Sequence, residues 1–369
     1  MPRIPSIRLE GLSKRFDDIV AADDISLEVK DGEYIVILGP TGAGKTTLLK
    51  MIAGLTPPDS GKIFVDGKRV DNLPPEDRGM VYLSQTYALF RHMTVWDNTK
   101  FGPTVKDWDE SKCDMLAREM LNLVRLYDRR TARPDELSGG MKQRNALARA
   151  LATDVKILLL DEPLRALDAR LRIELRYELA RLTSDLGITA LHVTHDQEIA
   201  MTMADRVAVL RKGRIEQLGR PEEIYDNPAR PFICHFVGEA NFFEGTVHSV
   251  SEDHSELEGE GHVLRARPTN LPRGSEACVG IKTENVRLLD GVVEGQNHIP
   301  AKVVRKLFLG RLVSIVIETD DGKMLHVKTP SSTGVGFSNG MEVTAHLEPS
   351  KCIIFPIPEK GLKEELEVE

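Results

Sequence analysis

Short apolar runs and amphipathic stretches take turns along the first two-thirds of this chain. The segments "YIVIL" (34–38), "KILLLD" (156–161), "TALHVT" (189–194) and "VAVL" (207–210) are continuous apolar runs without alternation. Strands buried on both faces of a parallel sheet have this character. Helical patterns lie between them. "TTLLKMIAG" (46–54) ends on Gly54, and "DARLRIELRYELARLTSDLG" (168–187) spaces its apolar residues at helical intervals before Gly187. Strand, helix and strand in succession predict a doubly wound α/β domain over residues 1–236. The mainly helical stretch 86–155 falls between two core strands, which predicts an inserted helical subdomain.

The texture changes near 231–245. Beyond it "VSIVIET" (313–319), the turn "DDGK" (320–323) and "MLHVKT" (324–329) form a hairpin pattern, with "AKVVRKLFLG" (301–310) and "MEVTAHL" (341–347) as further strands. These predict a small all-β domain over 237–357, a closed or partly closed barrel of the oligonucleotide/oligosaccharide-binding type. The charged segment 358–369 is expected to fray.

Composition narrows the picture. At 369 residues the chain is long enough for two domains. A net charge of −8 disfavours a nucleic-acid binder, which would carry a basic face. Four cysteines, Cys113, Cys234, Cys278 and Cys352, form no C-x-x-C pair, which argues against a zinc site or a disulfide framework and suits a reducing cytosol. The N-terminal residues lack the apolar core of a signal peptide, and no apolar run is long enough to span a bilayer.

Chemistry enters at "GPTGAGKTT" (39–47). Gly39, Gly44, Lys45 and Thr46 fit G-x-x-x-x-G-K-S/T, after a predicted strand and at the start of a predicted helix. Such a loop turns successive backbone N–H groups inward as an anion nest, and the helix adds its positive end. The phosphate-binding set is therefore Gly39, Pro40, Thr41, Gly42, Ala43, Gly44, Lys45, Thr46 and Thr47. Lys45 suits the β- and γ-phosphates of a nucleoside triphosphate, and the Thr46 hydroxyl suits Mg²⁺.

Asp161 and Glu162 close a buried strand at the edge where α/β sheets hold ligands. A buried carboxylate needs a cation or hydrogen-bond donors. Mg²⁺ would serve Asp161, leaving Glu162 to polarise the attacking water. His195 ends the next strand on the same edge and reads as a stabiliser of transition-state charge. His192, inside that strand, reads as packing.

A second glycine-rich helix start follows at Ser138, Gly139 and Gly140. Ser138 alone would be an ordinary N-cap. With one phosphate loop already present, this second anion-binding helix start could serve a triphosphate held by another copy.

"GPTGAGKTT", "LSGGMKQR", "ILLLDEP", "ALDAR" and "VTHDQEIAM", in that order, resemble the ATP-binding cassette transport ATPases. The C-terminal β region resembles the transport-associated barrel of importer ATPases of the maltose-type subfamily. The resemblance implies an ATPase with ATP and Mg²⁺ as cofactors. It implies two copies pairing head to tail, with Ser138, Gly139 and Gly140 on the partner's γ-phosphate and Asp168 across the same interface. Gln85 would contact Mg²⁺ and water, and Phe16 would stack on adenine; a polar strand end and a core aromatic remain the alternatives for these two. The partners implied are transmembrane permease subunits and, indirectly, an extracytoplasmic solute-binding protein, with the chain on the cytoplasmic face of the membrane. Sugar or a similar small polar solute is the expected cargo. A cassette ATPase acting on nucleic acid or ribosomes, or an oxyanion-sensing C-terminal domain, are the alternatives. Two departures from the family pattern, Met141 for the usual Gln and Arg165 for the usual Ser, fall at the implied interface.

Overall fold

The computed structural model describes residues 6–153 and 155–367. Two compact units divide at Ile224 and Tyr225.

The first unit opens with an antiparallel sheet. Its strands are β1 (Ile7–Phe16), β2 (Ile19–Val29), β4 (Ser60–Val65) and β5 (Lys68–Arg69), in the order β2-β1-β4-β5. Between β2 and β4 the chain forms β3 (Tyr34–Leu38) and helix α1 (Lys45–Ala53). After β6 (Met80–Leu83) come α2 (Val95–Val105), α3 (Glu110–Leu123) and α4 (Gly139–Leu151). These three helices pack on one another between β6 and β7 (Ile157–Asp161), where the inserted helical stretch was expected. The unit continues with α5 (Ala169–Asp185), β8 (Thr189–Thr194), α6 (Gln197–Met203), β9 (Arg206–Arg211) and β10 (Arg214–Gly219).

The main sheet runs β10-β9-β3-β8-β7-β6. All its pairings are parallel except β9 with β10. Every residue of β3, β7 and β8 is buried, which explains their unbroken apolar pattern. Ile35, Ile37, Leu159, Leu191 and Val193 of this sheet join Leu48, Leu49 and Ile52 of α1 and Ile7, Leu9 and Leu27 of the antiparallel sheet in one core. Helix α1, and with it the loop before it, is thus held from both sides. The antiparallel sheet went unread in the sequence.

Helix α7 (Pro221–Asp226) spans the division and α8 (Pro231–Gly238) follows. A boundary at 236/237 was expected, but α8 falls in the second unit, where Cys234 is buried with Phe242, Cys278, Phe355 and Leu362. The strands β11 (Ala240–Val250), β12 (Ser255–Gly259), β13 (His262–Ala266), β14 (Glu276–Lys282), β15 (Val286–Asp290), β16 (His298–Phe308), β17 (Leu312–Thr319) and β18 (Met324–Pro330) come next. Helix α9 (Ser331–Gly334), β19 (Glu342–Leu347), β20 (Ile353–Pro356) and α10 (Leu362–Leu366) complete the unit.

Two antiparallel five-stranded sheets, β13-β12-β11-β14-β20 and β15-β19-β16-β17-β18, enclose a single core that includes Val247, Val279, Ile315, Leu325 and Ala345. The domain is all-β and OB-like, and the "DDGK" turn joins β17 to β18. The segment after 358 departs from the expected frayed tail. Leu362 opens α10 and is buried, so its apolar side chain ties part of the charged stretch to the domain; residues 368–369 lie outside the described residues.

Candidate active site

The parallel strands β3, β7 and β8 deliver their C-terminal ends to one edge of the sheet, and the phosphate loop, Asp161, Glu162 and His195 gather there. The loop after β3 is shaped by close approach. A Cβ on Gly39 would stand 2.2 Å from the Leu210 carbonyl oxygen, and one on Gly44 would stand 1.9 Å from that of Ala21. Gly44 also holds a positive φ of 98° at the start of α1. Only glycine meets both demands. Lys45 is buried, and its ammonium donates to the carbonyls of Gly39 at 2.8 Å and Pro40 at 2.7 Å. An ammonium has three hydrogens, so one donor remains for a phosphate oxygen. Burial lowers the Lys45 pKa, while Glu162 and Asp161 act in the opposite sense.

A cleft of about 380 Å³ opens over this loop. Thr41, Gly42, Ala43, Gly44, Lys45, Thr46 and Thr47 form one wall; Gln85, Glu162, Arg165 and His195 face the cleft from other elements; Phe16 and Ile19 edge it. Gly39 and Pro40 do not line it. Their role here is to hold Lys45.

Asp161, at the end of β7, is 1% exposed and stands one step back. Its two oxygens accept from the Thr46 hydroxyl and the Tyr82 phenol, both at 3.0 Å. Burial raises its pKa, and the two hydroxyls oppose that shift. Buried carboxylate and hydroxyl oxygens are hard donors, and a divalent cation would offset the cost of keeping Asp161 ionised. The residues present therefore fit Mg²⁺. Among the described residues no group of three or more His, Cys, Asp or Glu converges as a metal cage, so an ion here would take its remaining ligands from phosphate and water.

Glu162 has a positive φ of 51°, unusual for a residue with a side chain, and its N–H donates to Val193 of β8 at 3.0 Å. This turn brings its carboxylate to His195. Oε1 accepts from the His195 backbone N–H at 3.1 Å and faces Nδ1 at 2.6 Å, while Oε2 accepts from Thr194 Oγ1 at 3.3 Å. An ionised carboxylate can only accept, so with Glu162 ionised Nδ1 carries the hydrogen. The Glu162 carbonyl accepts from Gln143 Nε2 at 3.1 Å, and Gln143 Oε1 accepts from Ala166 N–H at 3.0 Å. Helix α4 is thereby tied to the turn that carries Glu162.

Ser138, Gly139, Gly140 and Asp168 lie apart from this cleft. Ser138 caps α4 through Met141 N–H at 3.3 Å, and Asp168 caps α5 through Leu171 N–H at 3.0 Å. Gly140 packs near Ala166, whose carbonyl oxygen would be 3.0 Å from an added Cβ. Gly139 is exposed, and a Cβ there would meet nothing within 4 Å. The sequence reading missed Tyr82, Gln143 and Thr194. No local pattern marks them, because each meets its carboxylate partner or the turn only through the fold.

Comparison with known proteins identifies the family of the chain. Residues 22–165 match the ABC transporter family and residues 279–355 the TOBE domain. The spermidine/putrescine import ATP-binding protein PotA of Pseudomonas aeruginosa is 38% identical over 89% of this chain and 92% of its own length. The sulfate/thiosulfate import ATP-binding protein CysA of Pseudomonas syringae is 45% identical over 81% and 92%. A dimeric post-hydrolysis structure of the ATP-binding cassette MJ0796 bound to ADP and Pi is 28% identical, with a TM-score of 0.54, over 58% of this chain and 98% of its own. No helix among the described residues is long and apolar enough to cross a membrane. The chain belongs to the ABC transporter family, as an ATPase that carries a C-terminal TOBE domain.

Proposed function

We propose that this protein is the ATP-hydrolysing subunit of an importer, a cytoplasmic protein held at the membrane by transmembrane permease subunits. The carrying observation is the meeting of the phosphate loop with Gln85, Glu162 and His195 in one cleft. In this reading the loop N–H groups and Lys45 hold the phosphates, and Phe16 offers an exposed ring to the base. Glu162 accepts a proton from the attacking water, and His195 both orients Glu162 and faces the developing phosphate charge. Thr46, backed by Asp161, and Gln85 would hold Mg²⁺, which neutralises phosphate charge when bound.

Ser138, Gly139 and Gly140 are proposed to cover the nucleotide of a second copy, with Asp168 at the same face. Closure of two copies over ATP would then drive the permease, which receives its solute from an extracytoplasmic binding protein. The names of the relatives give spermidine/putrescine in one case and sulfate/thiosulfate in another. They do not support a sugar specifically, so the proposed cargo is a small polar solute. Placement in the maltose-type subfamily is part of the proposal, supported by the order of cassette and TOBE domain. A nucleic-acid partner is not, given the net charge of −8.

The test is Glu162→Gln, which keeps the shape of the side chain and removes its basicity. Nucleotide binding should persist while turnover falls by roughly 10²–10⁴-fold, the usual contribution of a positioned base. Turnover near the wild-type rate would remove Glu162 from this role.

A further inference from the structure

We propose that His192 and Tyr34 are positioning residues for Glu162, acting through water held in a second cavity beside the nucleotide cleft. This rests on the reading of Glu162 as the base. The second cavity, of about 90 Å³, shares Glu162, Arg165 and His195 with the cleft but includes none of the phosphate loop. His192 and Thr194, from the same face of β8, line it too.

The sequence reading assigned His192 to packing, and packing alone does not account for its surroundings. The ring is fully buried in β8, and burial pushes its pKa down to about 3, so it is a neutral imidazole with one N–H. Nδ1 lies 2.9 Å from the Tyr34 hydroxyl. Tyr34 is itself buried, its pKa is raised, and its phenol has no other partner among the described residues. If the phenol donates to Nδ1, the imidazole hydrogen sits on Nε2; the opposite tautomer would leave the phenol hydrogen without a partner among the described residues, and the first arrangement is the one taken. That Nε2 is buried and has no hydrogen-bond partner among the described residues. Leaving such a donor unpaired is costly, and a leucine or valine would fill the strand without that cost.

A water occupies about 30 Å³ of liquid volume and needs two or more polar partners, so the cavity has room for two or three. His192 Nε2–H donates to the first water. That water can in turn donate only toward an acceptor, and the cavity offers the Glu162 and Asp196 carboxylates and the Thr194 hydroxyl oxygen. Asp196 Oδ1 already accepts from the N–H groups of Glu198 and Ile199, and its Oδ2 lies 3.8 Å from Arg172. With that water donating to Glu162, every hydrogen in the chain from Tyr34 through His192 runs toward its carboxylate. The side chain needs this support most at Oε2, where its one direct bond among the described residues, from Thr194, is long at 3.3 Å. With Oε1 held by His195 and Oε2 by Thr194 and water, the carboxylate stays in the orientation that receives a proton.

The experiment compares His192→Phe, His192→Gln and Tyr34→Phe by steady-state ATPase and nucleotide affinity, and His192→Phe again with Glu162→Gln by single-turnover phosphate release. His192→Phe removes the N–H while keeping an aromatic ring, and kcat should fall on the order of tenfold with KM for ATP within about twofold. His192→Gln restores a donor and should recover most of the loss. Tyr34→Phe frees the tautomer and should give an intermediate loss; it carries the same test if His192→Phe does not fold. Combined with Glu162→Gln, His192→Phe should add nothing. The inference is overturned if folded His192→Phe, or Tyr34→Phe in its place, keeps wild-type kcat. It is equally overturned if Gln performs as poorly as Phe, or if the tenfold loss recurs without the Glu162 carboxylate. Loss of the Glu162 reading itself would show separately, as a Glu162→Gln variant that still turns over.

Discussion

The two glycine-rich helix starts of the first unit differ in what holds them. In the loop before α1, neighbouring backbone dictates the glycines: Gly39 abuts Leu210, and Gly44 abuts Ala21 with its φ of 98°. At the start of α4, Gly139 has helical backbone and open space where a side chain would go. The first start is explained by the fold of its own chain. The second contains a glycine that the fold does not require, so the reason for it is sought outside the chain. In the proposed function, a triphosphate carried by a second copy and approaching the exposed helix start would supply that reason.

The comparison can be broken most forcefully at Gly44. In Gly44→Ala the new methyl group has nowhere to go, because the obstacle is a backbone carbonyl of β2 and not a movable side chain. Positive φ adds its own cost. We expect a loss of more than about 3 kcal/mol in urea unfolding, together with loss of nucleotide binding. A variant with wild-type stability would show that the approach of β2 to the loop is loose, and the contrast with Gly139 would lose its basis.

How much of this was legible beforehand follows the same division. Strands buried on both faces announce themselves by unbroken apolar runs, and the phosphate loop by its spacing. Both are local signals. The hairpin of β17 and β18 was legible for a similar reason, since alternation flanks a short turn with Gly322 at positive φ. The sheet of β1 and β2 was not. Ile7 and Leu9 alternate, but the pairing shifts register between Leu9 and Leu12 and again before Arg15, so the inward positions change face. The polar support of the site was hidden for a different reason. Tyr82 meets Asp161 across 79 positions of sequence, and Gln143 meets the Glu162 carbonyl across 19. Sequence named groups that line the cleft, Lys45, Gln85, Glu162 and His195 among them; only the fold named Tyr82, Gln143 and Thr194, which hold Asp161 and Glu162.

A smaller effect sharpens the contrast at Ser138. Its hydroxyl accepts from Met141 N–H at 3.3 Å, an ordinary cap. Ser138→Ala should cost about 1 kcal/mol in urea unfolding. Ser138→Asp keeps an acceptor and complements the positive helix end, so stability should return. ATPase turnover should not return with it, because a carboxylate would face the γ-phosphate of the second copy. Recovery of both properties in Ser138→Asp would make the serine a cap and nothing more.

The least effect on the fold is expected at Gly139, and there the distinction is cleanest. The residue opens α4 with a helical backbone and an exposed Cα, so alanine fits without strain. Alanine is also the better helix former by up to about 1 kcal/mol, and Gly139→Ala should leave the urea midpoint unchanged or raise it slightly. Nucleotide affinity of the dilute chain should be unchanged as well, because Gly139 does not line the cleft. Turnover at high protein concentration should nonetheless fall, since the methyl group stands where close backbone approach to a phosphate is proposed. A stable variant that binds ATP normally yet hydrolyses it slowly would place the role of Gly139 in the encounter between copies. Unimpaired turnover in the same variant would mean that no phosphate comes near this helix start, and the proposal of a shared pocket would fall with it.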